Sequence, residues 1–317
     1  MSAGERAVTV TVPATTANLG PGFDCLGLAL ELRNRFTFAA SGWVDDPEAV
    51  NLTVEAHGEG ARLLARDRDN LVWRAARAAF ARERRYPARL HLRLDCAIPL
   101  GKGLGSSASA IVGGVWGAAA LCEAGSSTES LLALAVEMEG HPDNVVPAAL
   151  GGFTVCAGGE TPVYQRLTLA TGVRAVVAVP SFSLRTAEAR RRLPKQVSLA
   201  DAVFNLSRAA ALVAALLRED WAAAGQLMED RLHQPYRAPL IPGFAGVCQS
   251  ARAAGAFGAV LSGAGPSVLA LVEPGRAAGR IPAEVAGAME QAFLAAGVTA
   301  HSLTLAPATQ GVQVAVD

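Results

Sequence analysis

Three glycines alternate in the run Pro99-Leu-Gly-Lys-Gly-Leu-Gly-Ser-Ser-Ala-Ser109, at Gly101, Gly103 and Gly105, and the hydroxyls of Ser106 and Ser107 follow at once. Glycine lets a backbone turn several N–H groups toward one point with no Cβ in the way. Residues Ala108 to Cys122 then read as a buried helix of small residues. A helix N-terminus adds free N–H donors and about half a positive charge. Such a nest suits a polyphosphate, and a serine beside it can reach a magnesium ion that carries the phosphates. The chemistry suggested is that of an enzyme handling ATP. The run is not G-x-x-x-x-G-K-[ST], because Lys102 lies between the first two glycines. It is not a clean G-x-G-x-x-G either, because Ser106 stands where the last glycine should be. A tight turn with no ligand would use the same residues. The alternating segment Leu90 to Cys96 before the loop reads as a strand, so strand, loop and buried helix come in the order a phosphate site needs.

Four further constellations carry polar chemistry. The loop Asn18 to Asp24, rich in Gly and Pro, holds one amide and one carboxylate. It reads either as an Asx turn or as a substrate clamp in which Asp24 takes an ammonium group and Asn18 orients a hydroxyl. Glu137-Met-Glu-Gly-His-Pro-Asp-Asn144 gathers several polar groups at a helix end, next to the apolar Val145 to Leu150. Magnesium prefers carboxylate and phosphate oxygens, and Glu139, with Glu137 second, is the candidate ligand. Arg190 and Arg237 each lie beside a rigid or capped segment, and a guanidinium can grip a carboxylate with two prongs. Leu261-Ser-Gly-Ala-Gly-Pro-Ser267 brings glycines between two apolar strands.

The elements that position these groups follow from periodicity. Strands are expected at Val8–Val12, Leu26–Phe38, Asn51–Glu55, Leu90–Cys96, Val173–Val179, Ala256–Leu261, Ser267–Val272 and near the C-terminal end, with Pro13 to Asp24 as a loop. Helices are expected at Asn70–Arg84, Ala108–Cys122, Ser130–Glu139, Leu199–Leu217, Trp221–Leu232 and Ala283–Ala296. The helix over 199–217 shows one apolar stripe, Val203, Leu206, Ala210, Val213 and Leu217, expected to face inward. Gly158-Gly-Glu-Thr-Pro162 is the expected boundary between domains at 1–158 and 159–317.

Half of the 317 residues are apolar and 18% charged, which allows a large core, and net charge is zero. A neutral chain argues against broad nucleic-acid binding. Lys102 is one of only two lysines, which makes its place inside the glycine loop conspicuous. Five scattered cysteines, with no C-x-x-C, favour reduced thiols in a cytoplasmic protein over a disulfide or zinc framework. No signal peptide and no membrane span are expected.

The five segments together resemble the GHMP kinases. Pro13 to Asp24 resembles the family's opening motif, Pro99 to Ser109 its phosphate loop, and Glu139 to Pro147 its central motif. Asp230 to Pro242 and Leu261 to Ser267 resemble its two later motifs. The matches run in order across nearly the whole chain, and the first and third point to the branch whose substrate is homoserine. The resemblance implies an α+β fold, with an N-terminal α/β domain, a C-terminal ferredoxin-like domain and the active site between them. It implies transfer of the ATP γ-phosphoryl group to the hydroxyl of L-homoserine, a step toward threonine, with a homodimer compatible. By motif position the nucleotide would lie on Pro99, Leu100, Gly101, Lys102, Gly103, Leu104, Gly105, Ser106, Ser107, Ala108 and Ser109, with Asn70 and Thr186. Ser107 and Glu139 would hold magnesium, and Asn18, Asp24, Asp143, Arg190 and Arg237 the amino acid. Lys102, His141 and Asn144 are the catalytic candidates.

These residues fit a zwitterionic alcohol. Asp24 and Asp143 answer an ammonium, Arg190 and Arg237 a carboxylate, and Asn18 or Asn144 a hydroxyl. Several family members place an aspartate base where Asn144 stands. An amide cannot take a proton, and a loose phosphoryl-transfer transition state needs little covalent help, so the expectation is catalysis by alignment without a side-chain base. Kinases for isoprenoid alcohols would not need the paired acids. A binding-only relative would not need Ser107, Glu139 and Lys102. A dinucleotide oxidoreductase would need the last glycine and a better-placed acid than Glu123.

Overall fold

The computed structural model describes residues 5–158 and 163–316. The first part of the chain runs β1 (Glu5–Ala17), β2 (Leu26–Val44), β3 (Asn51–Gly58), α1 (Leu71–Glu83), β4 (Tyr86–Cys96), α2 (Ser106–Leu121), α3 (Thr128–Glu139), α4 (Pro142–Leu150), β5 (Phe153–Ala157) and β6 (Val163–Leu167). It continues with β7 (Arg174–Pro180), α5 (Thr186–Arg191), α6 (Leu199–Leu217), α7 (Trp221–Leu227), α8 (Gln234–Arg237), α9 (Phe244–Ala253), β8 (Gly258–Leu261), β9 (Val268–Val272), α10 (Pro274–Ala277), α11 (Ile281–Ala295), β10 (Ala300–Leu305) and β11 (Gln313–Val316). Most of the expected boundary at 158–162 lies outside the described residues. β6, just after it, pairs with β5, and β11 returns to pair with β1.

The first sheet has the order β11-β1-β2-β4-β3, with β5 on β2 and β6 on β5. One face carries α1–α4, and the cluster between them includes Val10, Val12, Phe36, Phe38, Trp73, Leu92 and Val115. α2 can lie close to β2 because the Phe36 and Phe38 rings sit where side chains on Gly113 and Gly117 would be. The second sheet, β10-β7-β9-β8, is antiparallel and has the ferredoxin-like order in which the first strand of the unit lies between the fourth and third. β7 reads as an unbroken apolar run because both of its faces are covered. Successive residues along it belong to different cores: Ala175, Val177 and Val179 join the cluster shared with the first sheet, and Val176 and Ala178 join α9 and α11.

Three expectations are corrected. The Pro13 to Asp24 loop begins later than expected, because β1 continues through Pro13 to Ala17. The register with β2 shifts between Pro13 and Ala14, and a bulge is where a strand tolerates a residue with no N–H. The helix expected to reach Leu232 stops at Leu227. Asp230 accepts the N–H groups of Leu232, His233 and Gln234 instead, and so starts α8. The stripe of α6 faces outward, with Val203, Leu206 and Leu217 exposed and Asn205, Leu212, Ala215 and Leu216 buried. Asn205 sets this roll by donating to the Pro21 carbonyl and the Asp230 carboxylate.

Candidate active site

One cleft gathers most of the expected residues. Its lining includes Asn18, Asp24, Pro99, the loop from Gly101 to Ser107, Glu139, His141, Asp143, Asn144, Thr186, Arg190 and Arg237, together with Gly263 and Ala264. The end of β1, the β4–α2 loop, the α3–α4 junction, the first turn of α5, α8 and the β8–β9 loop all open onto it. Leu100, Ala108 and Ser109 lie behind the lining. Asn70 lies away from it as the buried cap of α1, accepting from the amides of Val72 and Trp73 and donating to the Ala65 carbonyl.

The glycine loop divides its polar groups between protein and cleft. Its carbonyls turn inward: Gly101 O accepts from Leu184, Lys102 O from Ser267, Gly103 O from the Ser262 hydroxyl, Leu104 O from Thr15 and Gly105 O from Ser109. Among the described residues no amide from Gly101 to Ala108 has a protein acceptor. Gly101, Gly103 and Gly105 all have left-handed backbone, with φ of 65°, 74° and 69°. A Cβ on Gly103 would strike the Ser262 carbonyl, and one on Gly105 the Thr15 hydroxyl. The result is a row of unpaired donors at the N-terminus of α2, a site for a polyanion.

Beside that row, Ser107 Oγ donates to Glu139 Oε2 at 2.8 Å. Burial pushes the Glu139 carboxyl up, against the hydrogen bond from Ser107, which lowers it. Glu137 points away, 77% exposed, 4.0 Å from Arg82, so Glu139 is the acid at the cleft. α3 ends at Gly140 and α4 starts at Pro142, which brings His141, Asp143 and Asn144 to the lining. His141 Nδ1 lies 2.8 Å from Asp143 Oδ1. Burial lowers the His141 pKa, but the hydrogen bond and charge of Asp143 outweigh it and raise the value overall. Asn144 Oδ1 accepts from the Thr15 hydroxyl at 2.8 Å, which fixes the amide and leaves its oxygen as an acceptor.

Two guanidinium groups face each other across the cleft in different states. Arg190 holds Asp24 with two bonds, 3.0 and 2.7 Å, so the groups expected to take a carboxylate and an ammonium neutralise each other here. A zwitterion could replace this pair charge for charge. Arg237 is 1% exposed and has no carboxylate partner among the described residues. Its Nη1 donates to Gly263 O and approaches His233 Nδ1, while Nε has no acceptor. Burial, and then the charge of Arg190, pull its pKa down to about 10. His233 donates from Nε2 to Gly20 O, and burial lowers its own pKa, so Nδ1 is free to receive Arg237. A buried cation with an unused donor is costly unless an anion completes it.

Other side chains hold the frame. Asn18 accepts the Asp24 amide and donates to Gly263 O, so its polar atoms serve the loop. That loop carries three left-handed non-glycine residues, Asn18, Leu19 and Asp24. Lys102 Nζ donates to the carbonyls of Pro180, Ser181 and Phe182 at 2.8, 3.0 and 2.6 Å. The expectation that this lysine acts on phosphate meets an ammonium whose three protons already clamp the glycine loop to the turn after β7. Burial, opposed by Glu59, lowers its pKa. Thr16, Ser262 and Gly103 O form a hydroxyl chain across the two sheets. Asn34 accepts the Ala97 and Ile98 amides and donates to Ser109, fixing the entry to the loop. Sequence reading missed Asn34, although it is a polar residue in the inward phase of Phe36 and Phe38.

Comparison with known proteins bears on the family and the fold. Residues 70–152 match the model for the GHMP kinases N terminal domain, and residues 212–291 the model for GHMP kinases C terminal. The chain is 46% identical to a homoserine kinase of Moorella thermoacetica, over 95% of this chain and 98% of that one. It is 45% identical to a homoserine kinase of a Synechococcus strain, over 97% of each. The crystal structure of homoserine kinase from Cytophaga hutchinsonii superposes with a TM-score of 0.85 at 31% identity, over 98% of this chain and 97% of that one. Mevalonate kinase of L. major in complex with R-mevalonate, at 16% identity and a TM-score of 0.67 over 94% of this chain and 95% of that one, shares the fold.

Proposed function

The chain belongs to the GHMP kinase family, and on that premise we propose that it transfers the γ-phosphoryl group of ATP to the hydroxyl of L-homoserine, giving O-phospho-L-homoserine and ADP on the route to threonine. The observation that carries the reading is the row of unpaired amides from Gly101 to Ala108 facing the same cleft as an uncompensated Arg237. The amides receive the phosphates. Arg237 takes the amino-acid carboxylate, with Arg190 beside it. Asp24 and Asp143 take the ammonium as Asp24 releases Arg190.

The homoserine oxygen attacks the γ-phosphorus, the bond to the bridging oxygen breaks and that oxygen leaves with ADP, while the hydroxyl proton passes to an oxygen of the transferred phosphoryl group and from there to water. Asn144, anchored by Thr15, orients the hydroxyl and does not deprotonate it. A loose transition state asks mainly for alignment and charge neutralisation. Ser107 and Glu139 present a hydroxyl and a carboxylate oxygen beside the phosphate row, a donor set that suits magnesium together with phosphate and water. When bound, that ion would neutralise phosphate charge. A basic limb in the pH–rate profile that vanished in an Asn144 or His141 variant would contradict catalysis without a base. The same reading divides the chain into an ATP-binding part at 1–158 and a second part at 159–317, and has the enzyme work in the cytoplasm.

The direct test is ADP release measured with homoserine, serine, threonine and mevalonate side by side. Homoserine should give the highest kcat/KM. A higher value with mevalonate, or ADP release indifferent to the alcohol, would overturn the proposal.

A further inference from the structure

Arg237 commits one nitrogen of its guanidinium to the protein and keeps one edge free. Nη1 donates to Gly263 O at 3.2 Å and to His233 Nδ1 at 3.3 Å, which uses both of its protons. Nε and Nη2 have no acceptor among the described residues. The Nε–H and one Nη2–H point the same way, the fork that meets a carboxylate with two parallel hydrogen bonds.

The partners of His233 settle its tautomer. Gly20 O, 2.8 Å from Nε2, can only accept, and a guanidinium can only donate. The proton is therefore on Nε2, and Nδ1 presents a lone pair. Asp230 Oδ2, 3.5 Å from Nε2, favours that arrangement, and burial disfavours the charged ring in which Nδ1 would lose its lone pair. Three contacts hold the ring in place. His233 O accepts the Arg237 amide, Asp230 accepts the His233 amide, and the Phe23 ring stacks on the imidazole at 5.3 Å and 25°. The same Phe23 ring lies 5.3 Å from the Arg237 guanidinium carbon. His233 is fully buried and is not part of the cleft lining, so it reaches a substrate only through Arg237.

We propose, resting on the homoserine reading above, that His233 is a positioning residue: by occupying Nη1 it reserves the Nε–Nη2 edge of Arg237 for the substrate, and so selects an amino alcohol that carries a carboxylate.

The test compares L-homoserine with 3-aminopropan-1-ol, the same amino alcohol without its carboxylate, at saturating ATP. His233→Gln keeps a donor within reach of Gly20 O but puts no acceptor where Nδ1 stands. It should raise KM for homoserine about 10-fold with kcat little changed, and leave kcat/KM for 3-aminopropan-1-ol as in wild type. His233→Asn, whose Oδ1 takes the place of Nδ1, should bring KM for homoserine back to within about 3-fold of wild type. In an Arg237→Met background, His233→Gln should change homoserine kinetics no further. An equal loss with both alcohols marks a merely structural role and overturns the proposal. An unchanged KM for homoserine in His233→Gln, or a full effect of that change without Arg237, overturns it too. All three failures leave the homoserine reading standing, whereas a wild-type enzyme with no preference for homoserine over 3-aminopropan-1-ol removes that reading and the proposal with it. The wild-type protein gives a readout that needs no variant at His233. In ¹⁵N spectra at neutral pH with homoserine bound, the histidines being assigned by replacing the other four in turn, His233 should be neutral with its proton on Nε2. An Nδ1–H or doubly protonated ring overturns the proposal.

Discussion

Replacing Arg237 by Met separates substrate binding from stability. The guanidinium is 1% exposed, lacks a carboxylate partner among the described residues and leaves Nε without an acceptor. Burial depresses its pKa from the ordinary arginine value to about 10, which corresponds to about 3 kcal/mol by which the folded state disfavours the charge. The sign follows from the direction: a cation whose pKa is lowered on folding weakens the native state at neutral pH. Met fills most of the volume without the charge. Of the two acceptors left behind, Gly263 O keeps its bond from Asn18, so only His233 Nδ1 loses its donor. The fold should therefore melt within a few degrees of wild type or slightly higher. Catalysis should respond differently. A charge-assisted hydrogen bond is worth about 1.5–3 kcal/mol, so KM for homoserine should rise roughly 10- to 150-fold. KM for ATP should hold, because Arg237 lies on α8 and the amides lie on the β4–α2 loop. Steady-state kinetics with each substrate varied in turn reads both numbers. An unchanged KM for homoserine, or an equal rise for ATP, would refute the assignment of Arg237 to the amino-acid carboxylate.

Ser107→Ala should raise the magnesium concentration needed for half-maximal rate, since it removes one of two adjacent oxygen donors; equal rates for variant and wild type at all magnesium levels would exclude that role. His141 has a raised pKa, so its pairing with Asp143 stabilises the fold below the ordinary histidine pKa and the benefit fades as pH rises through the folded value. Urea unfolding of His141→Gln and wild type should differ more at mildly acidic than at alkaline pH, and a gap that widens with pH would contradict the pairing. Asn34→Leu leaves the buried amides of Ala97 and Ile98 without an acceptor, which should cost about 1–3 kcal/mol of stability and raise KM for ATP more than for homoserine. Calorimetry and kinetics on the purified variant would check both.

The site was legible in sequence wherever backbone carried the chemistry. Alternating glycines before a helix of small residues admit few conformations, and the amides of the Gly101 to Ala108 row lie open as that pattern implies. The α3–α4 junction was equally readable, because Gly140 and Pro142 leave the chain little choice between them. What stayed hidden depends on partners distant in the chain. The proton count of Lys102 says it can donate three bonds, but only the turn after β7 shows that three carbonyls receive them. Asp24 and Arg190 each read as ligands for opposite charges, and nothing in their local sequence says that they meet. The stripe on α6 misled for a related reason. Its apolar spacing is real, but the roll of the helix is set by a single buried amide, Asn205, whose partners lie on two other segments.

The pairing of Val316 with Val8 and of Gln313 with Thr11 has a consequence for synthesis. β1 leaves the ribosome well before β11 and waits with one edge bare until β11 follows. Until then its free backbone groups offer a template for unwanted pairing. A nascent chain halted before β11 should accordingly be more prone to associate and quicker to be cut by protease within β1 than the finished protein.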